Sequence, residues 1–145
     1  MAVRVRVISI GAMSAHPSWG EKGDVRPAHA TTTLIESGKC RILVDPSLPA
    51  QALVPRLAER SGKAPKDITH VFLTGFHPMR RRGLAAFPEA TVLLGAAERD
   101  GVAAELRERL SQAQQHDDEE LERVLREELA ILQSCEEAPD RLAEG

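Results

Sequence analysis

The sequence predicts one α/β domain followed by a pair of acidic helices. Alternating Val and Arg over residues 3–7 predict a strand, and two β-rich runs, 31–37 and 40–44, flank the turn Gly38-Lys39. After residue 103 the leucines recur at helical spacing. A chain of 145 residues with 42% hydrophobic and 28% charged residues is typical of one soluble globular domain with its own core.

The elements of the first part follow in order. The strand over residues 3–7 has one apolar face and runs on to Gly11. The next segment, 14–28, is rich in Pro, Gly and charge, which predicts a long irregular loop. The two β-rich runs around a two-residue turn that contains glycine predict a hairpin over residues 31–44.

A helix is predicted from Pro49 to Gly62, because proline suits a first helical turn and glycine ends one. The continuous apolar run Ile68 to Thr74 predicts a strand that is buried on both faces. A short helix from Arg82 to Phe87 and a strand from Thr91 to Leu94 complete the order β, ββ, α, β, α, β.

The last part of the chain is helical and acidic. Two helices are predicted from Leu106 and Leu121 onward, and Asp117 with Glu120 resembles a capping box before the second. Residues 1–95 carry 13 Lys and Arg against 7 Asp and Glu, whereas 96–145 carry 6 against 15. We interpret the acidic excess as the solvated face of these helices, with an acidic docking tail as the alternative.

Composition excludes several function classes. Trp19 is the only Trp, Phe occurs three times and Tyr is absent, so the chain lacks the aromatic platforms of single-strand nucleic-acid binders. No stretch reaches the roughly 18 apolar residues of a membrane span. Cys40 and Cys135 lie far apart and form no CxxC pair, which fits a reducing cytoplasm. We therefore expect a cytoplasmic protein that binds neither nucleic acid nor membrane.

Several runs together resemble the metallo-β-lactamase superfamily. They are ATTTLI from Ala30, RILVDP from Arg41, DITHVFLT from Asp67, Gly83-Leu84, and FPEATV from Phe87. The resemblance covers about residues 3–102. It implies the N-terminal half of an αββα sandwich, with a mixed sheet and helices on one face. On this basis residues 1–102 form the half-domain, and 103–145 form an acidic helical segment that packs on it or on a partner.

In that family the strand ending in Leu-Thr is followed by a loop of pattern His-x-His-x-Asp-His, which supplies ligands for one or two zinc or iron ions. Such a metal keeps an open position for water and lowers the pKa of that water to roughly 7. In this chain the four positions are Gly75, His77, Met79 and Arg80. Glycine has no donor, a thioether is too soft, and a guanidinium repels a cation. The resemblance therefore implies a degenerate metal motif.

Few other residues are candidate ligands. His77 keeps its family position, and His29 and Asp45 precede and follow strands that lead toward the same cleft. The competing interpretations are a loop histidine for His77, a surface-loop role for His29 and a turn-capping carboxylate for Asp45. Arg80, Arg81 and Arg82 at a strand-to-helix junction predict an anion site, with solvated charge as the alternative.

The leading hypothesis is a metallo-β-lactamase-fold protein related to metal-dependent hydrolases. We expect it to be metal-poor, to be non-catalytic on its own and to bind a small anionic metabolite. The first alternative is a zinc-dependent hydrolase whose site is completed by another chain or by unusual ligands, and metal content separates the two. The second is a structural interaction module. No cofactor is expected, and zinc is the metal if any binds. Half a sandwich leaves one sheet face uncovered, which predicts a homodimer or a complementary second half-domain.

Overall fold

The computed structural model describes residues 2–138. These residues divide into two compact units between Thr91 and Val92. The strands and helices in chain order are β1 (Val3–Ser9), β2 (Thr32–Ser37), β3 (Cys40–Val44), α1 (Ala50–Ser61), β4 (His70–Leu73), β5 (Thr91–Leu94), α2 (Ala96–Gln115), α3 (Glu119–Ser134) and β6 (Glu136–Glu137).

The first unit contains a mixed sheet in the order β1, β2, β3, β4. Strand β1 pairs antiparallel with β2, β2 pairs antiparallel with β3, and β3 pairs parallel with β4. The predicted hairpin is confirmed, with Ser37 opposite Cys40 and Gly38 in the left-handed region at φ 57°. The mixed sheet of this α/β unit agrees with the predicted fold class.

One face of this sheet forms the core of the first unit. Leu34, Leu43 and Val71 lie side by side across three strands and have no exposed surface. The helix that the sequence predicts between Pro49 and Gly62 is present as α1, which contacts β1 and buries Leu53 and Leu57 completely. Gly62 ends α1 at φ 70°, a left-handed conformation that favours glycine.

The opposite face, here called the open face, carries no charged side chain from the four strands. Val3 and Val5 lie on this face and are 62% and 64% exposed. The strand register places these residues on it: Val3, Val5, Val7, Thr33, Ile35, Ser37, Cys40, Ile42, Val44, His70 and Phe72. The prediction that the β4 strand is buried on both faces was wrong, because His70 and Phe72 on the open face are only half-buried.

The segment after β4 differs from the short helix predicted over Arg82 to Phe87. It forms two single 3-10 turns, Pro78–Arg80 and Leu84–Ala86. Gly83 lies between them and donates its N–H to the carbonyl of Pro46 at 2.8 Å. A Cβ at this position would lie 2.6 Å from the Leu48 carbonyl oxygen, so close packing against that segment limits the local backbone to tight turns.

The second unit contains α2 and α3, which pack on each other, and the short parallel pair β5 and β6. Helix α3 is capped by Asp118, whose carboxylate accepts from the Leu121 N–H at 3.1 Å. The predicted cap at Asp117 was therefore one residue early. Asp117 instead has φ 52° in the turn between the helices. The predicted domain boundary at residue 102 falls inside α2.

Among the described residues, no helix is long and apolar enough to span a lipid bilayer.

Candidate functional site

Three strand ends meet at one edge of the first unit's sheet. Strands β3 and β4 run parallel, so the residues that follow them, Asp45 and Thr74, lie side by side. Strand β2 runs antiparallel to β3, so it begins at this same edge with Thr32. These residues and the loop that follows Thr74 form the strand-end site, defined here as Thr32, Asp45, Ser47, Thr74 and Arg80.

Asp45 is the centre of the strand-end site. Its side chain is 5% exposed and its backbone has φ 50°, a left-handed conformation that Asp tolerates better than most residues. The carboxylate accepts from the Thr74 N–H at 2.9 Å and from the Thr74 hydroxyl at 2.6 Å. Arg80 Nη1 lies 3.3 Å from the same carboxylate and 3.0 Å from the Thr74 hydroxyl oxygen. The buried negative charge is thus paired with a permanent cation.

Two further buried polar side chains hold the backbone around Asp45. The Thr32 hydroxyl donates to the Asp45 carbonyl at 2.6 Å, and the Ser47 hydroxyl donates to the Ala30 carbonyl at 2.5 Å. Thr32 and Ser47 have no exposed surface. Buried hydroxyls are costly unless they are hydrogen-bonded, so these bonds fix the turn that presents the Asp45 carboxylate.

The three consecutive arginines have different partners. Arg80 pairs with Asp45, and Arg81 Nε donates to the Phe76 carbonyl at 2.9 Å while its guanidinium lies 4.3 Å from the centre of the Phe76 ring. Arg82 Nη1 donates to the Ala28 carbonyl at 2.6 Å. The structure therefore does not show the three guanidiniums directed at one point, and anion binding by them stays a prediction.

The predicted metal ligands do not form a metal site in the described part of the chain. No group of three or more His, Cys, Asp and Glu side chains is placed there to hold a metal ion. His77 is exposed, and its Nδ1 accepts from the Met79 N–H at 3.2 Å. Asp45, another of the predicted ligands, is paired with Arg80 instead. The Asp45 carboxylate faces the Arg80 guanidinium, whose permanent positive charge would repel a zinc or iron ion beside it.

Sequence reasoning missed part of the strand-end site. It singled out Asp45 and Arg80 separately, but it did not pair them, and it gave no role to the hydroxyls of Thr74 and Ser47. A threonine directly after a buried strand was the available signal for Thr74, because such a residue lies beside the end of the neighbouring parallel strand. Ser47 carries no comparable signal, since a serine after Pro46 is an ordinary turn residue.

The predicted long loop is ordered by its own side chains. His16 stacks on Trp19 with ring centres 4.4 Å apart, and Arg26 lies 5.8 Å from the centre of the Trp19 ring. Arg26 also forms a short ion pair with Glu21 and donates to the Met13 carbonyl at 3.0 Å. The hydrogen bond from Arg26 holds the pKa of Glu21 below its ordinary value of 4.5.

The chain belongs to the metallo-β-lactamase superfamily. The sequence model of that superfamily matches residues 25–140, which is most of the chain. The resemblance that the strand and loop motifs predict is thereby confirmed. The curated proteins include no match to this sequence.

Solved structures agree on the fold. AidC, a dizinc quorum-quenching lactonase solved with a homoserine product, superposes with a TM-score of 0.57 at 21% identity, covering 81% of this chain and 45% of AidC. A protein of Thermotoga maritima described as a metallo-β-lactamase superposes with a TM-score of 0.52 at 20% identity, covering 67% of this chain and 45% of its own. This chain thus has the metallo-β-lactamase fold over less than half the length of these two proteins.

Proposed function

We propose that this chain is a metallo-β-lactamase-fold protein, related to metal-dependent hydrolases, that holds no catalytic metal by itself. The observation that carries the proposal is the Arg80 guanidinium 3.3 Å from the Asp45 carboxylate. Arg80 stands at the last histidine position of the family's loop pattern. A guanidinium stays charged at every physiological pH, so a divalent cation at Asp45 would meet like-charge repulsion in a partly buried place.

The alternative is a zinc-dependent hydrolase whose site is completed by another chain or by the unusual ligands His77, His29 and Asp45. The superfamily favours it, since AidC is a dizinc lactonase. The loop chemistry supports the first proposal over this one. His77 already uses Nδ1 to accept the Met79 N–H, and lone imidazoles do not hold zinc.

Metal content tests the proposal directly. The protein purified in the presence of zinc and iron, then dialysed, is expected to carry well under one equivalent of either metal by elemental mass spectrometry. The triple variant Gly75→His/Met79→Asp/Arg80→His restores the four-ligand pattern and removes the cation, so it is expected to gain zinc. The matched control adds His77→Ala to the triple variant, which should lose the gained zinc.

The opposite result is equally clear. If the unmodified protein retains stoichiometric zinc that is lost on His77→Ala, the metal-poor proposal is wrong and the zinc-hydrolase alternative is right. Zinc-dependent lactone hydrolysis by the unmodified protein, absent after chelation, would lead to the same conclusion.

We also propose that the open face binds a second copy of this chain. Val3 and Val5 are more than 60% exposed there, and none of its positions carries a formal charge. Exposed apolar faces of this kind are typical of protein interfaces. A complementary half-domain is the other candidate partner.

We further propose that an anion binds at Arg80, Arg81 and Arg82. A cytoplasmic location is also proposed. The guanidiniums of Arg80 and Arg82 each have five N–H donors, so their bonds to protein acceptors leave donors for phosphate or a carboxylate. Cys40 and Cys135 lie far apart in the sequence and form no CxxC pair, which supports a reducing compartment. Phosphate at millimolar concentration should raise the melting temperature of the protein but not of the Arg80→Ala/Arg81→Ala variant.

A further inference from the structure

A groove outside the strand-end site lies between β1 and α1 in the first unit. Its volume is about 440 Å³, within the range of small-molecule sites. Its lining includes four apolar residues and four polar ones, Val7, Ile8, Ile10, Leu48, Ser9, His29, Arg56 and Arg60. The groove, here called the β1-α1 groove, contains no residue of the strand-end site.

The cationic side of the β1-α1 groove comes from α1. Arg56 and Arg60 are four residues apart, so they lie on the same side of the helix. Both are exposed. In contrast to Arg80, neither has a carboxylate within 4.0 Å among the described residues. Within residues 2–138, no Asp or Glu lines the groove. Two guanidiniums without a counterion beside one cavity make a site for an anion.

The rest of the groove lining contains both polar and apolar side chains. His29 lines the groove as well, and its buried Nδ1 has no hydrogen-bond partner among the described residues. Ile10 is 78% exposed at the groove, and Ile8 and Leu48 extend the apolar surface. An inorganic anion would use only the arginines and leave this apolar surface in water. A ligand with one charged end and an aliphatic end would cover both sides of the groove.

We propose that the β1-α1 groove binds a carboxylate with an aliphatic chain, its carboxylate on Arg56 and Arg60 and its chain against Ile10 and Leu48. The ligand is a small free carboxylate, because a groove of about 440 Å³ suits a small molecule. This site is separate from the anion site predicted at Arg80, Arg81 and Arg82, and it does not depend on whether the chain holds a metal.

Calorimetric titration of the full chain with octanoate tests the proposal. Octanoate is expected to bind saturably, and acetate and inorganic phosphate should each compete with it at least about tenfold more weakly, because they lack the chain. Arg56→Ala/Arg60→Ala should weaken octanoate binding by at least about tenfold. Ile10→Ser should weaken octanoate but leave acetate unchanged.

The matched control is Lys39→Ala/Lys66→Ala, which removes the same charge from two exposed lysines outside the groove and should bind octanoate as the unmodified protein does. Circular dichroism of each variant checks that α1 is folded. Octanoate binding that is unchanged in the arginine variant overturns the proposal. So does the lack of saturable octanoate binding at millimolar concentration, or phosphate that displaces octanoate as effectively as octanoate itself binds.

Discussion

The strand-end site and the open face lie on the same four strands. They differ in how many hydrogen bonds and how much burial the rest of the chain provides for their side chains. At the strand-end site the Asp45 carboxylate has three donors from Thr74 and Arg80, and its side chain is 5% exposed. On the open face Val3 and Val5 are 62% and 64% exposed. The Asp45 carboxylate is thus satisfied by the chain's own groups, whereas part of the open face is exposed to water.

This difference indicates where binding should be sought. A carboxylate that is already paired with Arg80 gains little from a further cation, because the ligand must first displace the guanidinium. An uncharged face of a sheet gains free energy from any partner that removes it from water, by roughly 25 cal/mol per Å² of apolar surface. We therefore expect the strand-end site to contribute to stability and the open face to contribute to association.

The largest expected effect is on stability at the strand-end site. Arg80→Met keeps the aliphatic stem but leaves the Asp45 carboxylate without its cation, so it should lower the free energy of unfolding by about 2 kcal/mol. Arg80 is 35% exposed, which keeps the loss below that of a fully buried pair. Urea denaturation followed by circular dichroism measures the change.

Arg82→Ala is the control for this prediction, because Arg82 makes an exposed hydrogen bond to the Ala28 carbonyl and has no ion pair among the described residues. Its cost should be about 0.5 kcal/mol. Equal losses for Arg80→Met and Arg82→Ala would show that the Asp45 pair adds no stability, and the contrast between the two regions would disappear.

A smaller effect is expected on association through the open face. Light scattering at micromolar concentration should give twice the chain mass of 15.8 kDa. Val5→Lys places a charge in the middle of the open face and should weaken the dimer by at least about tenfold. Val25→Lys, at a valine that is 53% exposed in the loop, should leave the dimer intact. A monomer of 15.8 kDa across this concentration range contradicts the prediction.

The smallest effect is expected on the conformation of the loop over residues 14–28. Its Glu21 carboxylate is paired with Arg26, as the Asp45 carboxylate is paired with Arg80. The folded-state pKa of Glu21 lies below 4.5, so its contribution to loop order is complete above that pH and is lost as pH falls through the lowered pKa. Trp19 is the only tryptophan, so its fluorescence reports the loop.

In the unmodified protein the Trp19 emission should change at acid pH, and Glu21→Gln should remove that transition, because glutamine does not titrate. Asp24→Asn provides the control, since Asp24 is exposed in the same loop and has no ion pair among the described residues. The same acid transition in Glu21→Gln and in the unmodified protein would mean that another group controls the loop.

Much of the first unit could be predicted from the sequence, because its signals are local. The hairpin around Gly38-Lys39 and the helix between Pro49 and Gly62 depend on turn glycines and helix ends, and both were confirmed. The prediction of a short helix over Arg82 to Phe87 was wrong, because Gly83 packs against the Pro46 and Leu48 carbonyls. That contact joins segments about 35 residues apart, and no local pattern indicates it.

The sequence by itself determined the superfamily and the first five strands along the chain. Only the tertiary structure decided what the substituted residues do. Arg80 lies 35 positions from Asp45, and the two meet because β3 and β4 run parallel and end at one edge. Arg56 and Arg60 look no different from Arg80 in the sequence, yet they have no carboxylate partner among the described residues. Charge pairing depends on distance in space, which the strand register sets and the spacing along the chain does not.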